Sequence, residues 1–178
     1  MTLSSMATTA PPPGHLPASG PAVGRPVLLC HAGGQIFGLA AEAVLEVLPA
    51  TAPAPLPGMA PPLLGLVAAR GTVVPVFDLA AALGATDGTP PTAARVSGHG
   101  AALHVLLRDG ARLAAARVDA VGDLVLLPGG AARAAEAPGE PAARALRGET
   151  WHDGQRVQLL AASALLRAPA TRLVPEPV

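Results

Sequence analysis

Few residues in this sequence are placed to do covalent or metal chemistry. Cys30-His31 sets a thiol beside an imidazole, the pair a cysteine hydrolase would use. On a strand, adjacent side chains point to opposite faces, so these two cannot engage each other, and Cys30 reads as a buried structural thiol. His152-Asp153 places a base next to a carboxylate, but Asp153-Gly154 is a turn signal that already employs the aspartate. The histidines at 15, 31, 99, 104 and 152 form no His-x-x-x-His pair and have no Cys-x-x-Cys companion, so no metal site is expected. "GHGAAL" at 98–103 lacks the last glycine of a dinucleotide fingerprint, so no cofactor site is expected. Glu42 and Glu46 stand at helical spacing without a partner acid or metal ligand nearby. All 12 basic residues are arginine, which removes Walker A and Schiff-base lysine chemistry. No catalytic residue is expected, and a binding module is what remains.

Composition supports that reading. The 178 residues suffice for one ordinary domain or two small units sharing a core, with roughly 70% of the unfolded surface buried. Twelve basic and 12 acidic residues balance to zero, leaving no electrostatic footprint for nucleic acid or anionic lipid. The lack of lysine, asparagine and tyrosine matches a GC-rich genome, so the wealth of alanine, glycine, proline and arginine carries little structural meaning. No apolar run reaches the ~18 uncharged residues of a spanning helix. The N-terminal stretch has neither the basic start nor the apolar core of a signal peptide. With one cysteine no internal disulfide can form, and a cytoplasmic setting is expected. Residues 1–25 read as a disordered tail, 26–168 as the domain, and 169–178 as a second, shorter tail.

The elements that would position any site are short strands broken by turns. "RPVLLCHAGGQIFGLA" predicts a hairpin about Gly33-Gly34. A helical turn at Ala40–Val44, a strand to Leu48 and a proline-rich connection follow. "LLGLVAARGTVVPVFDLAAALG" predicts strands at 63–69 and 72–77, both nearly all apolar and so covered on both faces. Pro75 cannot donate to a ladder and belongs at an edge or a bulge. Asp78 and Gly84 bracket a short helix as N-cap and C′ residues. A polar break at 84–100 is expected to join two halves of the domain. Beyond it come a hairpin at Asp109-Gly110, a strand ended by Pro128, a loop over 129–144, a hairpin at Asp153-Gly154 and a helical pattern at Leu160–Leu166. About ten short strands at hairpin spacing predict an all-β fold of barrels or a sandwich.

The segment from Phe37 to Gly84 resembles the first half of CheW-like domains. The family pattern falls on Phe37-Gly38, Val44/Glu46/Val47, Pro57, Gly65, Arg70-Gly71, Pro75, Asp78-Leu79 and Leu83-Gly84. Val118, Asp119 and Val121 resemble a later strand of the family, and "RGETWHDGQRVQLLAASALL" resembles its last hairpin and closing helix. The resemblance covers about residues 27–167 and implies two intertwined five-stranded SH3-like barrels on a shared core. It also implies a non-enzymatic chemotaxis adaptor that couples chemoreceptor cytoplasmic tips to the regulatory domain of a CheA-type histidine kinase. Two features depart from the pattern: Ala68-Ala69 replaces a frequent Asn-Leu, and Ala161 replaces a frequent aspartate, which predicts a looser last helix.

An arginine at position 70 is not needed by a turn whose backbone requires Gly71. Arginine is enriched at interface hot spots, and a tight hairpin preorganises it. Carried over from the family, Arg70, Gly71, Val44, Glu46 and Gly65 are the candidate partner-binding residues; for Val44 a plain core role is an equal alternative. Other readings are a divergent scaffold of another chemosensory pathway (pili or gliding), a self-assembling structural module, or a hydrolase using Cys30.

Overall fold

The computed structural model describes residues 24–85, 101–128 and 145–167. Residues 1–23 of the expected tail over 1–25, residues 86–100 of the polar break over 84–100, the loop over 129–144 and the tail over 169–178 lie outside the described residues. Ten strands form two five-stranded sheets. The strands are β1 (Gly24–Ala32), β2 (Gln35–Ala40), β3 (Val44–Pro49), β4 (Leu63–Ala69), β5 (Thr72–Asp78), β6 (Leu103–Asp109), β7 (Arg112–Val118), β8 (Ala120–Pro128), β9 (Leu146–His152) and β10 (Gln155–Leu160). Two four-residue helices follow β5 and β10: α1 (Leu79–Ala82) and α2 (Ala162–Leu165). The first sheet runs β8-β1-β2-β10-β9 and the second β3-β6-β7-β5-β4.

These two orders are one plan used twice. Each sheet has an antiparallel hairpin at its centre, β1–β2 or β6–β7, and a second hairpin at one side, β9–β10 or β4–β5. The hairpins join through one parallel pair, β2 with β10 or β7 with β5, and the far edge is β8 or β3. In the second sheet the chain runs straight through β3, β4, β5, α1, β6 and β7. In the first it starts at β8, ends at α2, and takes its central hairpin from the beginning of the chain. The sheets are therefore related by circular permutation, and the two ends of the domain share one sheet. The chain changes sheet at the 3-10 turn Ala41–Ala43 and at Asp119. Because β5 and β6 belong to the same sheet, the sheets are not divided at 84–100.

Strong turn chemistry sets the registers. Gly33-Gly34, Arg70-Gly71 and Asp153-Gly154 each form a two-residue loop with positive φ at both positions, the twist-matched type I′ hairpin turn. Asp119 fixes the crossing between sheets: its Oδ2 accepts from the Gly33 N–H at 2.9 Å, and its own N–H donates to the His31 carbonyl. Gly24 and Arg25 already pair with Pro128 and Leu127, so β1 begins two residues before the expected domain start. Asp78 caps α1, its Oδ1 accepting from the Ala81 N–H at 2.8 Å, and Gly84 follows with φ +64°. β5 is an interior strand, but at Pro75 it is paired on the β4 side only, the local edge expected for a proline. The proline is tolerated because pairing with β7 starts only at Val76.

Alternation divides the apolar residues among three cores. Along β6, Val105 and Leu107 enter a core shared by both sheets, which also holds Cys30, Phe37, Phe77 and Leu79. Leu106 points the other way, into an inner core on the opposite face of the second sheet with Val67, Val74, Val76 and Ala115. The first sheet has its own small inner core of Val27, Leu29, Leu127 and Val157. That is why the strands read as nearly unbroken apolar runs: many are covered on both faces. Val73 is an exception at 64% exposure, paired with Ala68 on the face of the β4–β5 hairpin opposite the inner core.

Candidate partner-docking site

β3 and β4 are the two edge strands of the second sheet, and a side-chain pair brings them together. Arg70 Nε donates to Glu46 Oε2 at 2.6 Å, from the β4–β5 turn to the middle of β3. A bulge at Leu45 sets the register: Val44 lies opposite Leu107, but Glu46 lies opposite Leu106. Glu46 therefore shares the face of Leu106 and meets the guanidinium on the side of that inner core. Both side chains stay accessible, Arg70 at 62% and Glu46 at 34%. An ion pair this exposed contributes about 0–1 kcal/mol to stability. Its clearer effect is geometric, since a charge-assisted bond fixes the direction of the guanidinium and leaves its remaining donors facing solvent.

The backbone under Arg70 is unusual. Its φ is +51°, so the turn demands positive φ of the arginine as well as of Gly71. Left-handed backbone costs an L-residue roughly 1–2 kcal/mol, and glycine, asparagine or aspartate would bear it more easily. Gly71 has φ +74° with open space around it.

The other two expected residues lie apart from this pair. Val44 is half-buried against the shared core, which matches its plain packing role. Gly65 is buried in β4 with φ +147°, and a Cβ there would meet the Ala54 carbonyl oxygen at 2.5 Å. Ala54 and Leu66 exchange backbone hydrogen bonds of 2.8 and 2.9 Å, so the proline-rich connection lies across the edge strand at this point. Gly65 permits that approach; it shapes the edge and offers no side chain. Of the Ala68-Ala69 pair, Ala69 is buried in the inner core while Ala68 is exposed opposite Val73. Sequence reasoning missed Val73 by assigning the whole strand to the interior. Arg70 and Glu46 thus form a fixed, accessible charged pair on the inner-core side of the second sheet, while Ala68 and Val73 are exposed on its opposite face.

The chemistry considered for Cys30 meets a different environment. Cys30 is fully buried in the shared core, and burial pushes its thiol up to about 12. A nucleophilic cysteine needs the opposite shift. His104, opposite Leu48 and Arg117, is also buried; its Nε2 has no hydrogen-bond partner among the described residues. Burial, and then repulsion from Arg117, hold its pKa below the usual imidazole value. Among the described residues no group of three or more His, Cys, Asp or Glu side chains is arranged to hold a metal ion.

The sequence profile of the CheW-like domain family matches residues 26–170, most of the chain. The chain belongs to the CheW-like domain family. The scaffolding protein TtCheW from Thermoanaerobacter tengcongensis has a similar solved structure, with a TM-score of 0.63 at 17% identity over 78% of this chain and 89% of that one. No curated protein matches in sequence. CheW-like proteins are non-catalytic scaffolding adaptors of chemotaxis signalling, and this chain is a CheW-like scaffold of that kind. No helix among the described residues is long and apolar enough to cross a membrane.

Proposed function

We propose that this CheW-like chain is the coupling adaptor between chemoreceptor cytoplasmic tips and the regulatory domain of a CheA-type histidine kinase, with Arg70 as a docking residue. The observation that carries the proposal is the Arg70–Glu46 pair: an arginine on left-handed backbone, aimed by a carboxylate from the opposite edge strand and otherwise solvated. Folding alone favours another residue there, whereas a preorganised guanidinium suits binding. Glu46 positions the arginine, Gly71 makes the turn, and Val44 and Gly65 hold the two edge strands in place. The setting is cytoplasmic, at a receptor array reached through partners.

Titration calorimetry of the full chain against the kinase regulatory domain and against a receptor-tip fragment tests this. Arg70→Glu, which sets a second carboxylate beside Glu46, is expected to fold as wild type and to weaken one of the two by at least about 1 kcal/mol. Unchanged affinity for both would remove Arg70 from the interface. If the wild type binds neither partner, the coupling role itself fails.

A further inference from the structure

A cleft of about 870 Å³ opens where the two sheets meet, lined by the start of β1, the 3-10 turn, the β6–β7 turn, β9 and the start of α2. Three arginines line it, each from a different strand: Arg25, Arg108 and Arg147. None of them has a carboxylate partner among the described residues. Two acids, Glu42 and Asp109, share the lining, but Asp109 already faces Arg167 at 3.6 Å. Three guanidiniums thus meet one unengaged carboxylate, in a protein whose net charge is zero. Concave surfaces lined by one sign of charge concentrate the field, and arginine recognises planar carboxylates through paired donors.

We propose that this cleft binds an acidic peptide segment of a partner protein, with Asp or Glu side chains received by Arg25, Arg108 and Arg147. The lining holds no aromatic ring on which a base could stack, which disfavours a nucleotide. The volume far exceeds one inorganic anion, and guanidiniums from three separate strands suit a ligand with several spaced carboxylates. Neither Arg70 nor Glu46 lines the cleft, so this site stands or falls separately from the coupling role.

The test is fluorescence anisotropy of a labelled hexaglutamate peptide with the full chain at low salt, with hexaglutamine as control. Hexaglutamate is expected to bind and hexaglutamine not. Arg108→Ala/Arg147→Ala should weaken binding at least about tenfold, as should Arg108→Gln/Arg147→Gln, with thermal melts confirming that both variants fold. Arg70→Asn should leave this binding unchanged. No binding, equal binding of both peptides, or full affinity in the folded double variants overturns the proposal. Displacement by inorganic phosphate beyond its ionic-strength effect would make this a phosphate site and overturn the peptide assignment.

Discussion

At the β4–β5 turn the second sheet carries Arg70-Gly71; at the matching β9–β10 turn the first sheet carries Asp153-Gly154. Both turns have positive φ at both positions. Aspartate is at ease there, because its short side chain tolerates left-handed backbone, and arginine is not. The contrast extends across each sheet. Glu46 precedes Val47, which pairs with Val105; Asp123 precedes Leu124, which pairs with Leu28 at the equivalent place. One sheet thus joins its edges through opposite charges, while the other holds two acids in those positions. The capping residues differ as well. Asp78 caps α1, but Ala161, its counterpart, makes no side-chain bond to α2. A plan used twice shows what folding requires in common, and the differences mark what each copy adds. At Arg70 the addition works against the backbone, which is the ground for assigning it to a partner.

The largest expected effect comes from the edge cover on β4. Gly65→Ala pushes a methyl into the Ala54 carbonyl and strains the backbone, so urea unfolding should show a loss of about 1–3 kcal/mol. A change below a few tenths would mean that the proline-rich connection does not lie across β4 as described. Exchanging the caps comes next. Asp78→Ala should cost about 1 kcal/mol and Ala161→Asp should gain a similar amount, both read from the unfolding midpoint. Equal and negligible shifts would show that the two helices do not depend on their caps.

His104 makes stability depend on pH. Its folded pKa lies below the unfolded value, so in the acid range the unfolded chain binds more protons. Stability is complete above about pH 6.5, the unfolded imidazole value, and is lost as pH falls towards the folded pKa. Chemical unfolding at pH 7 and pH 5 should show this loss, and His104→Leu should reduce it. The smallest effect is expected at Arg70 itself. Arg70→Asn eases the turn and deletes one exposed ion pair, two terms of opposite sign, so its unfolding free energy should lie within about 1 kcal/mol of wild type.

Much of the fold was legible wherever local chemistry decides it. Gly33-Gly34, Arg70-Gly71, Asp153-Gly154 and the Asp78 cap are signals contained within a few residues, and each hairpin and the first helix follow from them. The permuted plan was not legible, because the parallel pairs β2–β10 and β5–β7 and the outer pair β1–β8 join segments far apart in the chain. Gly65 stood out as a motif residue, yet its reason, the backbone of Ala54, exists only after folding. Arg70 and Glu46 were both singled out, but their contact across the sheet was not foreseen. Arg25, Arg108 and Arg147 were hidden for the same reason: a balanced net charge says nothing of where three distant arginines converge. His104 had a readable sign, a lone histidine inside the apolar run "LHVLL".

The measurement closest to the central claim pairs stability with binding in Arg70→Asn. Urea unfolding and calorimetric titration with the CheA-type kinase regulatory domain and the receptor-tip fragment would be run on the same samples. Wild-type stability together with at least about fivefold weaker binding to one partner is the predicted result. A variant that binds both partners as wild type, or that loses stability in step with binding, would show that Arg70 belongs to the turn and not to the interface.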